Sequence, residues 1–170
     1  MKPPSTALFP GSFDPFTNGH LDLVQRGAAL FDRVVVAVAH NPAKTSLFTP
    51  EERVDMIRNS VKGLKHVTAI HFAGLVVDCA RHVGAGTLIR GLRAVSDFEF
   101  EFQMALMNRR LQPGLEIVFL MPDQEYTYLN STLVKEVAKH GGRIRGLVPA
   151  PVERALLIRY GRRAARRGKE

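Results

Sequence analysis

The residues best suited to chemistry fall in one early turn, residues 10–20, with the sequence PGSFDPFTNGH. The apolar segment 6–9 before this turn predicts a buried strand, and apolar residues at helical spacing over 21–31 predict a helix after it. A strand, a glycine-bearing loop and a helix can together present backbone N–H groups and a positive helix end to a phosphate. Gly11 allows close approach of a ligand, and the Asn-Gly pair before His20 is a turn signal that delivers this histidine to the start of the helix.

Strand and helix patterns alternate along the rest of the chain. Apolar segments predict five strands, at residues 6–9, 33–39, 67–71, 87–90 and 116–121. Helical spacing predicts helices at about 21–31, 49–61, 75–83, 98–111, 133–140 and 151–160. This order predicts an α/β fold of one domain, a Rossmann-like, doubly wound, five-stranded parallel sheet with helices on both faces.

Two of the predicted helices differ in how clearly they are signalled. Thr49, Pro50 and Glu52 make a nearly ideal start, because the threonine can cap, the proline suits the first position and the glutamate completes a capping box. Residues 98–102 alternate Phe and Glu, which a strand would also show. The helix formers that continue to Leu111 favour a helix there.

The loops that follow parallel strands are expected to meet at one edge of the sheet. Right-handed crossovers place them there, and open α/β folds bind ligands at that edge. The loops concerned are those at Ser12, Lys44, Gly74, Arg90 and Tyr126. Groups suited to phosphate in or near these loops are the potential cations His20, Lys44, Arg90 and Arg93 and the hydroxyls of Ser12, Ser131 and Thr132. Such a set suits a triphosphate and a second phosphorylated substrate.

Composition and absent motifs narrow the classes of protein. The 170 residues are 45% hydrophobic and 24% charged, which is ordinary for a soluble globular protein. The longest purely apolar run, 34–39, is too short to span a membrane, and Cys79 has no cysteine partner, so a reducing cytoplasm is expected. No Walker A sequence, dinucleotide-binding glycine pattern or metal-ligand cluster stands out, which argues against P-loop kinases, dehydrogenases and a protein-held metal.

The net charge of +8 is concentrated at the C-terminus. Residues 159–170 hold six of the 24 lysines and arginines and one glutamate. A domain is therefore expected over residues 1–160, with a basic, disordered tail over 161–170. This tail leaves a nucleic-acid-binding protein open as an alternative. Tyr160 is the only aromatic residue there that could stack on a base, and nucleic acid is not the expected partner.

The early turn also carries a family signature. Thr17-Asn-Gly-His20 is similar to the T/H-x-G-H motif of the nucleotidyltransferase superfamily, although a bare match of this length also fits a structural loop that starts a helix. Three more blocks follow it, FTPEER at 48–53, RGLRAVSDFEFE at 90–101 and STLVKEV at 131–137. Together the blocks resemble the bacterial phosphopantetheine adenylyltransferases over residues 6–158. The block at 90–101 distinguishes that family from relatives that adenylate nicotinamide mononucleotide or transfer cytidylyl groups.

The resemblance implies a specific reaction. In that family AMP is transferred reversibly from ATP to 4′-phosphopantetheine, which gives dephospho-coenzyme A and pyrophosphate in the penultimate step of coenzyme A synthesis. Mg²⁺ is expected to bind mainly through the ATP phosphates. Since a phosphate attacker is already anionic, the enzyme must align it with the α-phosphorus and stabilise the developing charge, without a covalent intermediate. The family also implies a homohexamer and feedback inhibition by coenzyme A.

The resemblance further implies roles for the matching positions. The expected catalytic residues are His20, which matches the residue that stabilises the transition state, Lys44 and Arg93. The implied phosphopantetheine-binding residues are Ser12, Lys44, Val76 and Arg90. The implied ATP-binding residues are Ser12, Phe13, His20, Gly91, Leu92, Arg93, Glu101, Tyr126, Thr127, Tyr128, Leu129, Asn130, Ser131 and Thr132.

Two alternatives to these assignments stay open at the level of sequence. The same fold could act on another phosphorylated acceptor, such as nicotinamide mononucleotide or glycerol phosphate, because the fold alone does not decide the acceptor. Taken singly, Lys44 and Arg93 could be surface cations, and Glu101 could pair with a neighbour along its own helix. The joint pattern, rather than any one residue, carries the interpretation.

Overall fold

A computed structural model of the chain describes residues 5–40, 45–93 and 95–167, and describes side chains in these ranges except at 95, 96 and 162–167. The strands within these ranges are β1 (Thr6–Gly11), β2 (Arg33–His40), β3 (Val67–Ala73), β4 (Thr87–Gly91) and β5 (Glu116–Leu120). The α-helices are α1 (Asn18–Leu30), α2 (Pro50–Ser60), α3 (Val76–Val83), α4 (Val95–Leu111), α5 (Ser131–Lys139) and α6 (Ala150–Arg167). A short 3₁₀ helix spans Gln124–Tyr126.

The five strands form one parallel sheet in the order β3-β2-β1-β4-β5. The chain builds outward from β1 through β2 to β3, then returns to place β4 and β5 on the other side of β1. The loop after β1 therefore lies at the point where the strand order reverses, which is where open α/β sheets bind their ligands. The predicted fold, a five-stranded Rossmann-like sheet in a single domain, is confirmed.

The sheet separates two apolar cores because successive strand residues point to opposite faces. On one face Phe9 and Val36 pack with buried residues of α1, α2, α5 and α6. On the other face Leu8 and Val35 pack with Val77 and neighbouring residues of α3. Helices thus cover both faces, and the buried runs in β1 and β2 explain why these strands lack polar alternation.

Most of the local predictions agree with the structure. The predicted capping box of α2 is present, since Thr49 accepts a hydrogen bond from the backbone N–H of Glu52 and the Glu52 carboxylate accepts one from the N–H of Thr49. The Phe-Glu alternation at 98–102 is helical within α4, so the alternative of a strand there is wrong. The prediction that α3 closes at Gly84 is also confirmed, because this residue has φ +69° at the helix end.

The last helix departs from the prediction. α6 continues to Arg167, although the apolar pattern predicted its end near Tyr160. The apolar pattern of the sequence ends at that point, but the arginines and alanines that follow are good helix formers, which favours continuation of the helix. The division between a domain at 1–160 and a tail at 161–170 stays a prediction. Within the described ranges, every helix is too short or too polar to cross a membrane.

Candidate active site

The carboxyl edge of the sheet contains a cavity of about 470 Å³ around the turn after β1. Its walls come from this turn, the start of α1, the end of β4, and the segment between β5 and α5. Predicted site residues that line it are Ser12, Phe13, His20, Arg90, Gly91, Arg93, Glu101, Tyr126, Leu129, Asn130, Ser131 and Thr132. The loops at Ser12, Arg90 and Tyr126 therefore converge as predicted, at the strand order reversal.

The turn after β1 places its backbone against the cavity. The Phe13 ring folds back over Gly11, where a Cβ atom would lie 2.8 Å from the ring, so only glycine fits here without displacing the phenylalanine. Phe13 itself has φ +48°, which sharpens the reversal of the chain. Phe13 and Phe16 are both buried. This packing fixes the turn while leaving Ser12 exposed at the cavity wall.

Two helices direct their N-termini at the cavity. Thr17 caps α1 and accepts a hydrogen bond from the N–H of His20, and Asn130 caps α5 and accepts one from the N–H of Leu133. Gly19 allows Tyr126 to pack on the first turn of α1, since a Cβ there would lie 3.3 Å from the Tyr126 Cβ. Both helix ends carry a partial positive charge, which favours a phosphate in the cavity.

His20 is held in one orientation and one tautomer. Its Nδ1 atom lies 3.0 Å from the backbone nitrogen of Thr17 and 3.0 Å from Thr17 Oγ1. Because a backbone N–H can only donate, Nδ1 must accept, and the proton of the neutral ring resides on Nε2. Among the described residues Nε2 has no protein partner, so it is the nitrogen available to donate to a ligand in the cavity.

Burial keeps the His20 ring neutral. The Phe13 ring lies edge-on to it with centroids 5.1 Å apart, and the Phe16 ring stacks on it at 5.6 Å. This apolar enclosure and, to a smaller extent, the positive charge of Arg93 together lower the pKa of His20 from 6.5 to about 4. His20 can therefore donate from Nε2 as a neutral ring at physiological pH.

The depressed pKa of His20 predicts an acid-labile fold. Between pH 6.5 and 4 the unfolded chain takes up a proton at His20 that the folded chain does not, so the free energy of unfolding falls by up to about 1.4 kcal/mol per pH unit. Urea denaturation at pH 7.5 and 5 would measure this loss. His20→Gln should lose less stability than the wild type between these pH values. Equal losses in the variant and the wild type would contradict a depressed pKa of His20.

Two arginines from the end of β4 and the loop after it face the cavity with their guanidinium groups already engaged. Arg90 forms a bidentate pair with Glu101 of α4, at 2.7 and 2.5 Å, and donates to the carbonyl of Pro10. Arg93 contacts Asp97 and donates to the carbonyl of Leu129. The alternative that Glu101 pairs along its own helix is wrong, because its partner lies at the end of a strand.

Three charged residues of the site were not among the predicted site residues, although Lys135 is a cation that the sequence places near the start of α5. Asp14 and Lys135 line the cavity and pair with each other, with 3.0 Å between Nζ and Oδ2. The buried Arg53 donates to the carbonyl of Ser12 at 2.7 Å. All three lie inside the sequence blocks that carried the resemblance, which is the signal that could have identified them.

Several predicted site residues lie elsewhere. Leu92, Thr127 and Tyr128 do not line the cavity, although they adjoin residues that do. Val76 and Arg90 line a smaller neighbouring cavity of about 70 Å³ whose other walls include Phe100 and Met104 of α4. Gly74 itself lines neither cavity, but Val76, two residues later at the start of α3, shares the smaller cavity with Arg90, so the loop after β3 leads to this neighbouring cavity rather than to the main one. Lys44 lies outside the described residues, but Thr45 and Ser46 beside it line the main cavity.

Fold and site together define a nucleotidyltransferase of Rossmann-like architecture. Residues 8–137 match the cytidylyltransferase-like family. A phosphopantetheine adenylyltransferase from Dictyoglomus turgidum is 54% identical over 91% of this chain and 96% of its own length, and one from Desulforudis audaxviator is 55% identical over 92% and 96%. A solved structure titled as a putative nicotinate-nucleotide adenylyltransferase from Vibrio parahaemolyticus superposes with a TM-score of 0.71 at 17% identity, over 91% of this chain and 99% of that one, which shows the shared fold. The chain belongs to the phosphopantetheine adenylyltransferase family.

Proposed function

We propose that this protein transfers AMP from ATP to 4′-phosphopantetheine, releasing pyrophosphate and forming dephospho-coenzyme A. The observation that carries the proposal is the cavity at the strand reversal, where two helix N-termini, His20 and Arg93 surround one space. Relatives that are 54–55% identical over more than nine-tenths of the chain are named for this activity. Resemblance and geometry therefore support the same chemistry.

The proposed chemistry is direct displacement at the α-phosphorus of ATP. An oxygen of the phosphopantetheine phosphate forms a bond to the α-phosphorus while the bond to the bridging β-phosphate oxygen breaks, and pyrophosphate leaves with that electron pair. The attacking oxygen is already ionised, so no general base has to remove a proton. The protein's work is to align the two phosphates and to stabilise the negative charge on the transferred group.

His20 is well suited to that stabilisation. Nδ1 is fixed as an acceptor by Thr17, so Nε2 carries its proton before the substrates arrive, and donation needs no rearrangement of the ring. A preorganised donor of this kind acts strongly in a site shielded from water. Arg93 lies close enough to lower the pKa of His20 and is the positively charged neighbour that would share the same phosphate.

The residues of the cavity fit a magnesium complex of ATP better than a metal held by the protein. Within the described ranges no cluster of three or more His, Cys, Asp or Glu side chains is found. The cavity carboxylates Asp14 and Glu101 are both paired, with Lys135 and Arg90. We propose that His20, Arg93 and the helix N-termini hold the phosphates, and that Mg²⁺ bound to those phosphates neutralises part of their charge.

Oligomerisation is part of the same proposal. α4 exposes a set of large apolar side chains, which a soluble monomer rarely displays. Its exposed members are Phe98, Phe100, Phe102, Met104, Leu106, Met107 and Leu111. This surface supports a homo-oligomer, and the resemblance implies a hexamer. We also propose feedback inhibition by coenzyme A, which the resemblance implies. A cytoplasmic location is proposed because the lone Cys79 fits a reducing compartment.

The proposed acceptor can be tested by measuring pyrophosphate release from ATP and Mg²⁺. Release is expected with 4′-phosphopantetheine, with dephospho-coenzyme A identified by mass, and only at background with nicotinamide mononucleotide or glycerol 3-phosphate. If nicotinamide mononucleotide or glycerol 3-phosphate is turned over instead, the protein is still a nucleotidyltransferase, but the proposed acceptor is wrong. No release with any acceptor, from folded protein, would contradict the activity itself.

A further inference from the structure

The segment between β2 and α2 forms one wall of the main cavity. Thr45 and Ser46 line the cavity, and the next two residues anchor the segment from the inside. The backbone N–H groups of Leu47 and Phe48 donate to the two carboxylate oxygens of Asp14, at 2.9 and 3.0 Å. Asp14 belongs to the turn after β1, so residues 45–48 are fastened directly to the turn that leads to His20.

The same segment is held from the outside by α6. Arg159 donates to the carbonyl of Leu47 at 3.0 Å and to the Glu52 carboxylate at 2.5 Å. Its guanidinium carbon also lies 5.0 Å from the centre of the Phe48 ring, a cation–π distance. Glu52 is the capping-box residue of α2, so one arginine links α6, the wall segment and the start of α2.

We propose that Arg159 is a positioning residue for the cavity wall at residues 45–48, and through it for acceptor binding. The guanidinium satisfies the Leu47 carbonyl while Asp14 satisfies the Leu47 and Phe48 amides, so the backbone of the wall is held at both edges. The acceptor side is affected because Lys44, implied to bind phosphopantetheine, directly precedes this wall. That last step rests on the proposed function.

Arg159 is not needed to dock α6 on the domain. Val152 and Leu156 of the same helix are fully buried in the core, and they anchor it independently of the charged side chain. The Arg159 side chain itself is 35% exposed. Its removal should therefore loosen the wall segment without releasing the helix. This distinction separates a positioning role from a purely structural one.

The test compares Arg159→Ala with Arg159→Lys and with Arg154→Ala, which removes an exposed arginine from the same helix. Arg159→Ala should raise the KM for phosphopantetheine about three- to tenfold, the effect of losing roughly 0.7–1.4 kcal/mol of binding free energy, with little change in the KM for ATP. Millimolar guanidinium chloride should partly restore this KM, and sodium chloride of equal ionic strength should not. Arg159→Lys should fall between the wild type and Arg159→Ala, and Arg154→Ala should match the wild type.

Hydrogen exchange supplies a readout that does not depend on turnover. The amides of Leu47 and Phe48 should exchange faster in Arg159→Ala than in the wild type or Arg154→Ala. Unchanged exchange at these amides, or a lowered melting temperature with both KM values unchanged, would overturn the proposal. If the wild type fails to turn over phosphopantetheine, the proposed acceptor falls, while the exchange rates still decide whether Arg159 positions the wall.

Discussion

Replacing His20 by alanine is expected to lower kcat on the order of a hundredfold or more, because it removes one preorganised donor to the transferred phosphate. The KM for either substrate should change little, since the donor acts mainly on charge that develops in the transition state. The geometry supports this separation, because Nε2 is the protonated nitrogen and has no protein partner among the described residues. Steady-state pyrophosphate release with both substrates varied would measure the two parameters.

Two further variants show whether the donor position is what matters. His20→Gln places an amide N–H near the position of Nε2, whereas His20→Asn reaches only the position of Nδ1. We therefore expect the glutamine variant to keep more activity than the asparagine variant. His82→Ala, which removes an exposed histidine at the end of α3, should behave as the wild type. Equal losses in the glutamine and asparagine variants would contradict donation from Nε2.

The fold could be predicted from the sequence because its signals are local. Apolar runs such as Val34–Val38 have no polar face, so they indicate strands buried on both sides. The capping box at Thr49 fixes a helix start from four consecutive residues. α4 was harder, because its phenylalanines alternate at 98–102 and remain exposed, so the apolar period does not report a buried helix face. The good helix formers that follow them decided that prediction.

The site could be predicted only as a set of residues near one edge of the sheet. Strand-to-loop order places His20, Arg90 and Arg93 together, because the loops after parallel strands share that edge. Which charges pair cannot be inferred from spacing when the partners are far apart in the chain. Asp14 and Lys135 are 121 residues apart, and no periodicity connects them. The loop at Gly74 follows the edge strand β3 and leads, at Val76, to the smaller cavity beside the main one.

The hydrogen bonds around Asp14 help to explain how the turn after β1 keeps its shape. The Asp14 carboxylate is nearly buried and accepts two backbone amides from the wall segment while pairing with Lys135 of α5. On the other side of the turn, the buried Arg53 donates to the carbonyl of Ser12. Burial lowers the pKa of Arg53, yet its hydrogen bonds to backbone carbonyls keep the guanidinium in place. Hydrogen bonds from two helices and a loop therefore add to the packing of Phe13 and Phe16 within the turn.

Replacing Asp14 by alanine should consequently cost about 3 kcal/mol of stability, because two amides lose a charged acceptor in a largely buried setting. The Lys135 side chain is 27% exposed and can regain water, which keeps the cost at the lower end of the range for a broken buried pair. For a chain of this size the melting temperature should fall by about 6–12 °C. Thermal unfolding followed by circular dichroism would measure it.

Asp14→Asn tests whether the charge, and not only the shape, is required. Its single amide oxygen can accept from one backbone N–H, but its NH₂ group then faces the other N–H or the Lys135 ammonium. We therefore expect most of the destabilisation seen with alanine to remain. Asp55→Ala, which removes an exposed carboxylate paired at 3.7 Å with Arg58, should shift the melting temperature little. Wild-type stability in Asp14→Asn would mean that the carboxylate is dispensable, and that the wall segment and the turn after β1 are held together by packing of Phe48 and Phe16 alone.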